Sequence, residues 1–503
     1  MKLSRIAIFV ALFFNFPITA YADDIASAQG PTSATLSSSA AQADYDLLRK
    51  ALEEAHPGLY RYSSKVQIDQ MFDRERAKLD APLTRLAFRE IVAKTLAAIH
   101  CGHTSLEGDA EMDAVMKAAP TLPLRVLMEG SHVHVLLNDT ADDRTILPGM
   151  EILEINGHKV SDLLARFYAV TSGDGDIMSG KNHDLSNRFG QYYWWLIEQP
   201  REFTIKAVAA SGNEVIARLP GITDVQRRSN RNPVNAPILA VAARFGFNSP
   251  ENFSLRFIKE PDIAEIRIHY FVGNDFAKWM NETFKTLRDK KTKTLIIDLR
   301  GNGGGVDEYG ALFVSELTGK PFRYFDRIEL KTFTPTFSQH VGGFPTPERK
   351  AEFAKGTVPS PTGGFLLTAA MNRGLLEQHP AEHPFLGTVF VLIDGGSFSC
   401  AADVAAVLHH LKRATFIGDE TGGAYYGNNS GMMLTLTLPN SNVKIRLPFY
   451  EYWNAVEGYP NKRRGTIPDY PVMMKTSDIL RGIDAQHDLA VKLAEESTAG
   501  NKG

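Results

Sequence analysis

The chain has 503 residues, 55 Lys and Arg against 58 Asp and Glu, and a formal net charge of −3. That length suggests about three domains, and a near-neutral balance with no basic stripe excludes nucleic acid as an expected partner. Two cysteines, Cys101 and Cys400, exclude a disulfide framework and a zinc site built from cysteine alone.

Residues 1–22 read as a secretory signal. Lys2 and Arg5 precede an apolar run from Ile6 to Phe16, and Ala20-Tyr21-Ala22 is a small-x-small cleavage site. The run is too short to span a bilayer, and no later stretch reaches eighteen apolar residues. A periplasmic or secreted protein without a membrane span is expected once the signal is removed. Residues 23–42, rich in Ser, Ala and Thr, read as a disordered leader.

Residues 43–111 form a helical region. Tyr45, Leu47, Leu48, Leu52 and Ala55 recur at helical spacing until His56-Pro57-Gly58 stops them. Amphipathic stretches follow near 66–80 and 84–99, then "IHCGHTSLEGD" with its pair of histidines. From 112 to 222 the texture is β-rich. "LPLRVLMEGSHVHVLL" and "REFTIKAVAASGNEVIARL" are hairpins, and "LPGMEILEINGHKVSDLLARF" is strand, Asn-Gly turn and short helix. Residues 223–255, with many Asn, Arg and Pro, read as a linker.

Residues 256–490 alternate strands (263–271, 293–299, 388–394, 414–418) with helices (275–289, 307–318, 400–411). That order predicts an α/β domain on a largely parallel sheet. Two more β runs, 431–438 and 443–448, follow. The Pro- and Gly-rich stretch 333–386 reads as a long insertion of functional or mobile loop, and 491–503 as a C-terminal tail.

Three motifs invite chemistry. "HPAEH" at 379–383 has H-x-x-E-H metalloprotease spacing, but Pro380 and Pro384 oppose the helix that would align its histidines. "DLRGNGGG" at 298–305 lacks the third glycine of a dinucleotide fingerprint, since Val306 stands there. Its glycines read either as a flexible strand-to-helix turn or as a turn that points backbone N–H groups at an anion, which in acyl transfer is the tetrahedral oxyanion. "GGSFSCAADVAAVLHHL" at 395–411 puts Ser397 and Ser399 at a strand-to-helix junction, where serine either caps the helix or acts as a nucleophile. The amide of Cys400, in the first turn, has no intrahelical acceptor and is available to an oxyanion.

"IIDLRGNGGG", "VLIDGGSFSCAAD", "IGDETGGAYYGNNSG" and "GTIPDYPV" together resemble the successive motifs of the tail-specific (C-terminal-processing) protease family, which includes the tricorn core proteases. "PGMEILEING" resembles the PDZ-like segment of these proteins, and "HPGLYRY" and "HCGHTSL" their N-terminal helical region. The resemblance implies a crotonase-like (ClpP-like) α/β core behind an N-terminal helical region and a PDZ-like domain. It implies serine peptidase activity on peptide or protein substrates, with no metal or organic cofactor.

By position it makes Ser399 the nucleophile, with the oxyanion held by the amides of Cys400 and of a glycine among 303–305, Gly304 being the choice. The processing proteases carry a lysine base in T-F-G-K-G. Here the stretch is "TGGAYYG" and Ala424 stands in its place. The tricorn-like branch uses an N-terminal histidine, to which His103 corresponds, so an activity rise through a pKa near ~6–7 is expected. Gly102 precedes it where that branch has a polar residue linking histidine to glutamate. Glu457 is the expected glutamate and Glu451 its alternative. The rival reading is a non-hydrolytic binding protein on the same fold, which the missing lysine would suit.

Overall fold

The computed structural model describes residues 34–108, 110–244 and 251–500. The signal reading of 1–22 lies outside them. The N-terminal helices run Ser38–Ala55, Lys65–Arg76 and Arg85–Ala97, and their starts follow from capping chemistry. Ser37 accepts the Ala40 N–H, Ser64 and Gln67 form a reciprocal box, and Thr84 accepts the Ala87 N–H. The first helix therefore begins inside the stretch expected to be disordered leader, and Ala41 is already buried. Tyr45, Leu48, Leu52, Phe72, Phe88 and Val92 sit in one apolar cluster with residues of the 264–456 region. The helices are thus packed into the same core as that region.

The middle region is an antiparallel sheet of strands Leu124–Glu129, His132–Asn138, Glu151–Ile155, Glu202–Val208 and Glu214–Pro220, with its own apolar core. A helix, Met178–Leu196, packs on the first of these strands and had no counterpart in the sequence reading. The linker at 223–255 is also more ordered than expected. It holds the helices Asp224–Ser229 and Ala236–Arg244, and strand Phe253–Lys259 joins the next sheet as its antiparallel edge. Phe253 anchors that edge on Trp279, ring centroids 4.4 Å apart.

That sheet continues through Ile263–Ile268, Thr294–Asp298, Thr388–Ile393, Thr415–Gly418 and Tyr470–Pro471, all parallel. Runs such as Leu295-Ile296-Ile297 and Val389 to Ile393 are apolar on both faces because both faces are covered. Helices Asp307–Ser315 and Cys400–His410 pack on one side. Helix Ala485–Gly500 packs on the other through Ala490 and Ala494, so residues 491–500 continue a packed helix where a tail was expected.

A second sheet orders Thr357–Pro359, Phe365–Leu367, Phe325–Leu330, Lys444–Asn454 and Asn429–Thr437. The insertion at 333–386 supplies two of these strands and helix Pro347–Gly356, which corrects its reading as loop. The short strand Ser105–Leu106 pairs with Arg446 and Ile445, bringing the "HCGHTSL" loop onto this second sheet.

Candidate active site

The parallel strands end together, and their carboxyl ends carry 299–305, 394–399 and 419–424. That edge is where open parallel sheets place their chemistry. At the junction into helix Cys400–His410, Ser399 has φ 53° and ψ −130° and makes no side-chain capping bond. A non-glycine residue held there costs on the order of 1–3 kcal/mol, which the surrounding bonds must offset. They are Phe398 N–H to Asn302 O (2.9 Å) and Asp403 N–H to Ser399 O (3.0 Å). Ser397, by contrast, is fully buried. Its hydroxyl donates to Leu299 O (2.7 Å) and accepts from Asp394 N–H (3.1 Å), stitching two strand ends together. Of the two serines, Ser399 has the uncommitted hydroxyl.

The glycine turn lies against that serine. Gly304 has φ 101°, and a Cβ on it would fall 2.6 Å from Ser399 Cβ and 2.9 Å from Cys400 N. Any side chain at this position would close the space beside the serine. The Gly304 amide, however, donates to Asn302 Oδ1 (2.9 Å), and its carbonyl accepts from Phe271 N–H (2.8 Å). Gly304 therefore shapes the site but its N–H is committed, which corrects its expected part as an oxyanion donor. The Cys400 amide donates to no protein group among the described residues.

His103 is buried, its ring stacked on Phe398 with centroids 4.5 Å apart and planes at 27°. Phe398 directly precedes Ser399, so the stack brings the two halves of the site together. His103 makes no hydrogen bond to Ser399, and its Nδ1 has no partner among the described residues. Burial, with Arg446 nearby, pushes its imidazole down to about 3. It is therefore neutral across the working range, and the expected activity limb near 6–7 does not follow from this environment. Gly102 also has a structural reason. A Cβ there would meet Phe398 Cζ at 2.7 Å, so the ring occupies the place of a polar relay residue.

The expected carboxylates are elsewhere. Glu457 is exposed, and its N–H reaches His410 Nδ1 (3.3 Å) at the far end of the serine helix. Eleven helical residues put it roughly 16 Å along the axis from Ser399. Glu451 is buried, but it faces Arg61 (3.3 Å) and lies in register with Asn429. The carboxylate that does reach the site is Asp174, which the sequence reading missed. It is 1% exposed, and its Oδ1 accepts the Gly102 N–H (2.7 Å) while Oδ2 accepts the Ala424 N–H (3.3 Å). A glycine-flanked aspartate in a loop carries no periodic signal, so nothing in the sequence singled it out.

Ala424 is buried. Both cysteines are free and buried, Cys101 Sγ near Asn429 O and Cys400 Sγ near Val306 O. Residues 379–383 form no helix, and no cluster of three metal-ligating side chains occurs among the described residues. No helix among them is long and apolar enough to cross a membrane. A cavity of about 400 Å³ opens beside the site, lined by Gly102, Phe398, Gly303, Tyr270, Trp194 and Trp195 among others.

Residues 262–472 match the model of peptidase family S41. No curated protein matches. Among solved structures, the crystal structure of mature CPAF is 15% identical with a TM-score of 0.60, covering 91% of this chain and 96% of that one. The structure of mature CPAF complexed with lactacystin is also 15% identical, with a TM-score of 0.61 over 91% of this chain and 98% of that one. At such identity these likenesses are of fold, a mixed α/β architecture shared over nearly the whole of both chains. The match over residues 262–472, under half of the chain, supports a serine-type peptidase hydrolase.

Proposed function

We propose that the protein is an exported serine peptidase that cleaves peptide bonds with Ser399 as nucleophile and His103 as base. The observation that carries this reading is the uncommitted hydroxyl of Ser399, held at positive φ at the first turn of a helix whose leading amide is unpaired. Ser399 Oγ attacks the scissile carbonyl carbon, and its proton passes to a ring nitrogen of His103. The carbonyl electrons move to the oxygen, which the Cys400 N–H receives. Collapse breaks the C–N bond, and His103 returns the proton to the leaving amine. Water then repeats the sequence on the acyl ester.

The neutral imidazole supports this role, because a base must arrive without its proton. Its hydrogen bond to Ser399 is one that substrate binding has to complete, as free enzymes often leave it loose. The apolar run and cleavage site in 1–22 support export to the periplasm or beyond. In the same reading the core is crotonase-like, and the 112–222 sheet is a PDZ-like unit able to take a peptide by strand addition.

The test is hydrolysis of fluorogenic peptides together with labelling by a fluorophosphonate. Wild type is expected to label and turn over, and His103→Ala to lose at least ~10²-fold in kcat with KM little changed. Wild-type protein that is folded yet neither labels nor hydrolyses would favour a non-hydrolytic binding protein. A His103→Ala variant with near-normal turnover would assign the base elsewhere.

A further inference from the structure

We infer that Asp174 is the positioning carboxylate of this active site, holding the His103 loop in register with the Ser399 turn in place of the expected glutamate. The inference rests on the reading of Ser399 and His103 as nucleophile and base.

Asp174 lies in the loop leading into helix Met178–Leu196, in the middle region, yet it bridges two parts of the catalytic centre. One oxygen takes the amide of Gly102, the residue before His103, and the other takes the amide of Ala424. The Ala424 loop in turn lies on the serine turn, because Gly422 and Gly423 both donate to Ser397 O (3.0 and 3.3 Å). A Cβ on Gly423 would stand 3.2 Å from Ser399 N. The path from base to nucleophile therefore runs from His103 through Gly102, Asp174 and 422–424 to the Ser397–Ser399 turn.

The neighbours of Asp174 make it rigid. Gly175 N–H donates to His100 O (3.0 Å), His100 Nδ1 meets Gly175 O (2.7 Å), and Ser172 Oγ donates to Thr104 O (2.6 Å). Asp176 pairs with Arg463 at 2.6 Å. The 172–176 loop thus grips the 100–104 loop from one end to the other. A carboxylate suits this junction because it accepts on both oxygens. An amide side chain would accept on one and press a donor against a donor on the other.

The charged and titratable groups around Asp174 are Arg61, Tyr62, Cys101 and Asp403. Arg61 is the one permanent cation among them, and it faces Glu451 at 3.3 Å. Burial holds Asp174 above the usual carboxylate range against the two amide bonds. Its ionised, doubly accepting form is therefore lost on acidification before that of an ordinary aspartate.

The experiment compares Asp174→Asn with wild type, using kcat, KM, fluorophosphonate labelling and the pH profile of each. Asp174→Asn is expected to lose ~10²-fold in kcat with KM within about twofold. It is also expected to lose the acid limb of the wild-type profile, a shape change that a merely structural defect would not produce. Turnover within about threefold of wild type, or a lower kcat with the acid limb unmoved, overturns the proposal. Should the variant not fold, the pH dependence of labelling in wild type decides. An acid limb above the ordinary aspartate range of ~4 supports Asp174, and its absence overturns it. Ser399→Ala and His103→Ala run alongside. If those keep activity, the nucleophile and base reading has failed, independently of Asp174.

Discussion

The two halves of the active site are built in different ways. The serine half comes from one sheet: adjacent parallel strands end at the same edge, and the turns that follow lock each other within a few residues. Asn302 bonds Phe398, Ser397 bonds Leu299, and Asp394 Oδ1 accepts the Gly301 amide (2.8 Å). The histidine half is imported. His103 sits in a loop from the N-terminal region, seated by a two-residue strand on Arg446 and Ile445, by the Phe398 ring, and by an aspartate from the middle region. The first half is rigid by local geometry. The second is exact only as long as three separate parts of the chain stay docked. Substitutions in the two halves should therefore fail differently.

The largest effect separates the serines. Ser399→Ala should lose at least ~10³-fold in peptide hydrolysis with the melting temperature nearly unchanged. Ser397→Ala should keep the nucleophile but strand the Asp394 N–H, since Leu299 O still accepts from Asn302 N–H, costing about 1–3 kcal/mol of stability in denaturant titrations. Equal activity losses in two stable variants would dissolve the distinction between a reacting and a stitching hydroxyl.

On the histidine side, Gly102→Ser adds a polar side chain where the Phe398 ring now lies. We expect kcat to fall ~10-fold, as a small misplacement of His103 would cause. Adding Phe398→Ala should recover part of the loss by vacating the space. A single variant with full activity would show that the stack does not position the base.

A smaller effect concerns stability beneath the serine helix. Burial pushes Asp403 up to about 8, with the charge of Asp307 adding to the rise, and pushes Asp307 up to about 6. An unfolded aspartate titrates near ~4. Between that value and the folded ones the native state holds more protons than the unfolded chain. Stability is then greatest at the acid end of that window and falls as pH rises through about 6 to about 8. The melting temperature should decline across this range, and Asp403→Asn should flatten the decline. A slope unchanged by the substitution would place the effect elsewhere.

The smallest effect is expected from Glu457→Gln, within about twofold of wild-type turnover, because its carboxyl is exposed at the remote end of the helix. A large loss would mean that Glu457 acts on the site after all.

These differences also explain what could be read in advance. Parallel strands such as Leu295–Ile297 announce themselves as short apolar runs, and the glycine turn and serine junction follow them directly in sequence. The Cys400 amide was foreseeable from helix geometry alone. The helix Met178–Leu196 was not, because Gly180, Gly190 and four consecutive aromatics, Tyr192 to Trp195, blur its apolar stripe. The helices within 223–255 hid behind Asn, Arg and Pro. Glu457 was named by analogy of position, and position along the chain does not say which way a loop turns. Asp174 was invisible because its partners are backbone amides of residues far away in sequence.

The strand that seats the histidine loop has a temporal consequence. His103 and Ser399 are separated by ~300 residues, and the edge that receives Ser105–Leu106 is formed by Lys444–Asn454, which is synthesised after both. A chain still being made can hold both residues and yet have no surface on which to bring them together. Assembly of the proposed pair therefore waits for a strand that follows both residues in the chain.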